Sequence, residues 1–146
     1  MALTKTEIKA QYPLPAYNYQ VTLGDTIVAF SEVSGLQMQR EPITYRQGFS
    51  FLAGPQLIRG FVSTVTVTMK RGISKGKKGL YQWMSKGDTK DVIIDLCDEE
   101  GVPVVRWKVI GALPTKLDAP SFTANSNEVA IESMELIAQE VQLDYL

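Results

Sequence analysis

The side chains able to do chemistry are few and badly matched to it. Across 146 residues there is no histidine and a single cysteine, Cys97. Without imidazole, a serine or cysteine nucleophile lacks its usual base, and the common zinc, copper and non-haem iron sites lose their main ligand. One cysteine can form neither an internal disulfide nor a thiolate metal cluster, so Cys97 reads as a buried, inert thiol. Asp95, Asp98, Glu99 and Glu100 gather round a turn, but their spacing does not match a calcium loop. Lys75-Gly76-Lys77-Lys78-Gly79 has the composition of a phosphate cradle without its spacing or preceding context. No catalytic residue, metal or cofactor is expected.

The elements that would have to position such residues are mostly strands. In Phe61 to Lys70, Phe61, Ser63, Val65, Val67 and Met69 share one face, while Val62, Thr64, Thr66, Thr68 and Lys70 share the other. Such alternation predicts a strand with one apolar and one wet side. Asn18 to Leu23 and Thr26 to Phe30 flank Gly24-Asp25, a pair suited to a tight hairpin. Asp91 to Cys97 and Val102 to Gly111 flank the acidic turn as a second hairpin, and Asn127 to Ala138 and Val141 to Tyr145 read as the last strands. The pattern predicts about eight to ten strands. In Gly79 to Lys86, Leu80, Trp83 and Met84 make one helical stripe that covers the core, with Gly87 to end it. Thr4 and Glu7 have the spacing of a capping box, in a segment too short to be a stable helix alone. It runs into Tyr12-Pro13-Leu14-Pro15, which proline keeps extended, so residues 1–16 read as an arm that needs something to lie on.

Size and charge set the remaining bounds. The chain is one domain, residues 1–146, long enough to bury roughly 70% of its unfolded surface. A net charge of −1 gives no field that would draw it to nucleic acid or to a membrane surface. No apolar run suits a membrane anchor, and the amino terminus lacks the apolar stretch of a signal peptide, so synthesis in the producer cytoplasm is expected. Two segments stand out. Gln47 to Gly60 sets Phe49, Phe51, Leu52, Leu57 and Ile58 among glycines and a proline, so it either folds back on its own core or docks on another chain. Its place between two long strands projects it from the body, which favours docking. Lys70 to Lys90 carries seven basic residues against Asp88, as a solvated face or a contact for an acidic protein. From Asp118 onward there are six acids and no base, so neighbouring copies could pair unlike faces.

Four strings then acquire meaning together: Phe30-Ser-Glu-Val-Ser-Gly-Leu36, Tyr45-Arg46-Gln47-Gly48, Met69-Lys70-Arg71-Gly72-Ile73 and Asn127-Glu-Val-Ala-Ile-Glu132. In order and spacing they resemble the tail-tube (inner tube) proteins of contractile phage tails and phage-derived extracellular contractile injection systems. Leu80-Tyr81-Gln82-Trp83, Val105 to Lys108 and Leu113 to Lys116 extend the resemblance from about Tyr17 to the end. Two departures are Leu57-Ile58-Arg59-Gly60, where the family often has Leu-Pro-Gly, and Gln139-Glu140, where it often has His-Glu.

The resemblance implies a mainly β, sandwich- or barrel-like protomer with one short α-helix. Copies would close a hexameric ring whose strands line a β-barrel lumen, and rings would stack into a tube driven by sheath contraction. Partners would be the chain itself, a sheath protein, baseplate and tube-terminating proteins, and cargo in the lumen. On that basis Tyr12, Leu14 and the apolar loop at 47–60 are candidate inter-ring or inter-subunit contacts. Thr64, Thr66 and Thr68 are candidate lumen residues, Lys75, Lys77 and Lys78 candidate sheath contacts, and Val65, Val67, Trp83 and Trp107 core. The finished object would be a phage tail or a released injection particle. Two other readings use the same residues: a baseplate tube-initiator or type VI-like secreted ring carrier, and, from another class, a small-ligand-binding β-barrel.

Overall fold

A computed structural model describes residues 2–48 and 54–146. The described residues form ten strands and two helices. The amino-terminal helix α1 (Lys5–Ala10) closes through reciprocal cap bonds: the Thr4 amide donates to Glu7 Oε2 at 2.7 Å and the Glu7 amide to Thr4 Oγ1 at 3.2 Å. The first of these bonds holds the Glu7 carboxyl below its ordinary pKa. The resemblance implies one helix. Cap bonding supplies this second, short one.

The strands are β1 (Tyr19–Leu23), β2 (Thr26–Val28), β3 (Glu32–Ser34), β4 (Arg40–Tyr45), β5 (Gln56–Val62), β6 (Val65–Gly72), β7 (Lys90–Cys97), β8 (Pro103–Asp118), β9 (Ile131–Ala138) and β10 (Glu140–Tyr145). Helix α2 (Gly79–Lys86) lies between β6 and β7. Eight strands make one sheet in the order β2-β1-β7-β8-β9-β6-β3, with β10 also on β8; β4 and β5 pair only with each other. The first and last strands of that order, β2 and β3, are consecutive in the chain. A sheet whose two ends are tied by so short a link must roll up, which gives the barrel-like form.

Strand β8 is the spine of the roll. Its first part pairs with β7 and β10, from Val105↔Tyr145 to Ile110↔Glu140, and its last part with β9, from Leu113↔Ile137 to Asp118↔Ser133. The corner falls at Gly111, where φ is +64° and an added Cβ would come within 3.0 Å of the Gln139 side chain. Strands that pass from one half of a folded sheet to the other need such a bend. Both halves face one core of Val21, Val65, Val67, Met69, Val92, Val109, Met134, Leu136 and Val141. Helix α2 adds Leu80 and Trp83 to it, and its end is fixed by the Gly87 amide on Trp83 O and by Trp83 Nε1 on Asp88 O at 2.6 Å.

Two expectations fail here. The alternation over Phe61 to Lys70 is not one strand: it breaks at Ser63-Thr64, so β5 and β6 belong to different sheets. An even-numbered offset keeps the alternation in phase across the break, which hides it from a periodicity argument. Phe61, expected on the core face, is 92% exposed. Likewise the loop expected over 47–60 is shorter, because β5 begins at Gln56; Leu57 and Ile58 are strand residues. Phe49, Phe51 and Leu52 lie outside the described residues.

Candidate assembly surfaces

Three of the four strings meet along one edge. The Ser31 amide and Oγ both donate to Lys70 O, at 2.8 and 3.0 Å, and β3 pairs with β6 through Val33↔Met69. Tyr19 donates its hydroxyl to Phe30 O at 2.6 Å, which ties the β1–β2 half to this link. Burial of that hydroxyl raises the Tyr19 pKa, with the Glu32 carboxylate adding to the effect. On the other side of β6, Arg71 Nε donates to Glu132 Oε1 at 2.6 Å and Arg71 Nη2 to Lys77 O at 3.0 Å. One guanidinium therefore joins the third string, the fourth string and the basic loop. The second string, Tyr45 to Gly48, stands apart at the end of β4.

The β4–β5 ribbon is the most exposed element. Every residue of β4 is exposed, and in β5 only Gly60 is buried, where its Cα faces the Glu41 carbonyl. Ile43 pairs with Ile58 on one face, at 49% and 42% exposure; Leu57, at 71%, pairs with Thr44 on the other. A two-stranded ribbon is marginal in water, and one carrying apolar residues on both faces has no seat on its own core. Near its base, Met38, Arg40 and Arg59 border a cleft with Glu140 and Val141.

The half-sheet β3-β6-β9-β8 turns its outer face to solvent. Thr66 is exposed and Thr68 half-buried on β6, and Thr64 is exposed just before it. Cross-strand rows read Glu32–Lys70–Ser133–Asp118, Ser34–Thr68–Glu135–Lys116 and Thr66–Ile137–Leu113. Lys70 pairs with Glu32 at 3.4 Å and Lys116 with Asp118 at 3.4 Å, so this wall largely neutralises itself. Lys75, Lys77 and Lys78 are exposed in the loop that Arg71 holds.

Of the candidate arm contacts, Tyr12 is exposed and Leu14 half-buried. Leu14 borders a groove of about 290 Å3 with Tyr19, Leu36, Leu96 and Trp107. Val65, Val67 and Trp83 are buried, whereas Trp107, expected in the core, is half-buried at this groove. Trp107 still packs against the buried core cluster. Cys97 is buried, and burial together with Asp95 raises its thiol pKa. Asp95 is itself held by a two-point contact from Arg106, at 2.7 and 3.2 Å, which raises the Arg106 pKa. Among the described residues no cluster of three or more potential metal-ligating side chains occurs, and no helix is long and apolar enough to cross a membrane.

The fold is a rolled, mainly β protein whose two-stranded ribbon stands outside its core. The particular family is given by a model of the T4-like virus tail tube protein gp19, which matches residues 15–142, and the chain belongs to that family. Among solved structures, a chain of the PVC sheath–tube complex of an extracellular contractile injection system, in its extended state, is 30% identical. The match covers 99% of this chain and 100% of that one, with a TM-score of 0.88. A chain of the anti-feeding prophage cap, the AFP tube terminating cap, is 36% identical over 100% of both chains, with a TM-score of 0.87. Hcp1 from Flavobacterium johnsoniae shares the fold at 18% identity and a TM-score of 0.58, covering 88% of this chain and 95% of its own. No curated protein matches the chain.

Proposed function

We propose that this chain is the inner-tube subunit of a phage tail or contractile injection particle. Six copies close a ring, consistent with the tube architecture of the family. Rings stack into a hollow tube, a sheath surrounds it, and baseplate and terminator proteins end it. The relatives found in sheath–tube and tube-terminating structures support these partners. The observation that carries the reading is the β4–β5 ribbon, apolar on both faces and exposed along nearly its whole length. Neighbours must cover it, since an exposed strand pair of this kind otherwise invites uncontrolled pairing.

The surfaces follow from that frame. The ribbon, the apolar segment beyond it (with Phe49, Phe51 and Leu52) and the amino-terminal arm (with Tyr12 and Leu14) contact the adjacent subunit and ring. The self-neutralising wall with Thr64, Thr66 and Thr68 faces the lumen, where fixed charge would hold cargo back. Lys75, Lys77 and Lys78 face the sheath. The test is negative-stain microscopy of the purified protein beside a Leu57→Asp, Ile58→Asp double variant. Rings or tubes are expected from the parent, and from the variant a folded monomer whose melting temperature matches that of the parent at high dilution. Tubes persisting in the variant would remove the ribbon from the contact.

A further inference from the structure

Strands β4 and β5 pair only with each other, so no strand ladder fixes the angle at which their ribbon leaves the body. The base of the ribbon is also irregular. Its register shifts between Arg40 and Pro42, and a shift of this kind bends the strand that carries it. Only Ser63 and Thr64 separate β5 from β6. A cleft of about 290 Å3 lies between this base and the start of β10. Met38, Arg40, Arg59 and Val62 border it from the ribbon side, and Glu140 and Val141 from the body. Unlike charges therefore share one small cleft. Arg40 Nη1 donates to Gly60 O at 3.4 Å, within the ribbon, and Glu140 Oε1 accepts from Gln142 Nε2 at 3.2 Å. Among the described residues no ion pair joins Glu140 to Arg40 or Arg59.

We propose that Arg59 and Glu140 form an ionic latch between the ribbon and the body of the same chain. The ribbon swings about the Arg40–Pro42 shift and the Ser63-Thr64 break. In the closed form Arg59 meets the Glu140 carboxylate; the open form is the one in this structure. Closing would also cover Met38, now 63% exposed, and half-buried Val62. The latch belongs to a single chain, so it stands or falls apart from the tube reading. Its effect is to set the direction in which the ribbon presents Ile43, Leu57 and Ile58. Ionic strength controls it. A pair between solvent-accessible groups is screened by salt, so low salt favours the closed form and high salt the open one. The shift is one of populations between two orientations, not a change of fold.

The test is a distance measurement between two spin labels in a Cys97→Ser background, so that no native thiol competes. Thr44→Cys marks the ribbon and Lys86→Cys the end of helix α2; both positions are exposed. Labelled chains are diluted into unlabelled protein, so that only distances within a chain are read, in free and assembled fractions alike. Two distance populations are expected in free chains. Raising the salt, or replacing Glu140 by Gln, should increase the ratio of open to closed forms by roughly two- to five-fold, the weight of an accessible ion pair. Arg59→Glu should open the ribbon further, and Arg59→Glu with Glu140→Arg should bring the ratio nearer the parent than either change alone. Circular dichroism of each variant should match the parent, since the latch lies outside the core. Distances unmoved by salt and by Glu140→Gln in every fraction overturn the latch. So does a double exchange that leaves the ribbon as open as Arg59→Glu alone.

Discussion

Arg71 is 7% exposed and is held by Glu132 on one side and the Lys77 carbonyl on the other. A guanidinium so placed has been taken out of water, and the carboxylate is what makes its burial tolerable. Replacing Glu132 by Gln should cost about 2–3 kcal/mol of stability, nearer the lower side of a buried pair because the Glu132 side chain is 17% exposed. Urea denaturation measures it. Limited proteolysis should show earlier cutting in the loop at Ser74–Lys78, whose position depends on the same guanidinium. An unchanged midpoint would mean that Arg71 finds another acceptor as good. The Thr4–Glu7 box and the Asp95–Arg106 pair fix local geometry in the same way, but neither ties distant strings together.

At the scale of elements, the short link from β2 to β3 decides the roll of the sheet. Gly35 directly follows β3 at φ +87°, with its Cα turned to the Thr66 carbonyl of β6, and an added Cβ would collide with that oxygen. Gly35→Ala should therefore lower stability by roughly 2–4 kcal/mol, which corresponds to about 5–15 °C in melting temperature for a domain of this size. Calorimetry of the variant checks it, and a shift under about 1 °C would mean that β3 is free to move off β6. The same residue explains why Ser-Gly-Leu closes the first string: Ser34 pairs with Thr68, Gly35 permits the close pass, and Leu36 reaches the groove. The ribbon shows the opposite economy. Its strands pair antiparallel with one register shift between Arg40 and Pro42, but its apolar side chains have no core of their own.

For the whole molecule, stability and assembly are linked. If neighbouring copies cover the bare ribbon, as proposed, association should stabilise the fold by mass action. The melting temperature should rise with protein concentration, and the Leu57→Asp, Ile58→Asp variant should lose that dependence while matching the parent at high dilution. Differential scanning fluorimetry across a wide dilution series reads both. A parent curve independent of concentration would separate folding from assembly. The lumen placement has a consequence at this scale too. With Lys70 paired to Glu32 across β6 and β3, and Lys116 to Asp118 along β8, a lumen lined by the proposed wall would offer little net charge to a passing polyelectrolyte.

Much of this was legible in the residues. The alternating segments determined a mainly β protein, and the missing histidine and lone cysteine set which chemistries to expect, because those properties depend on side-chain type and local period alone. The helix over Gly79–Lys86, the hairpin at Gly24-Asp25 and the strings linking it to the tail-tube family are equally local. What tertiary structure decided was which strand lies beside which. The phase of alternation is unchanged when a chain leaves one sheet for another, so Phe61 reads as core though it stands on a bare ribbon. Trp107 reads as core and does pack against it, but the groove that leaves it half-buried is formed by Leu14 and Leu36 from distant segments. Burial is a property of what arrives from far along the chain, and no local pattern encodes it.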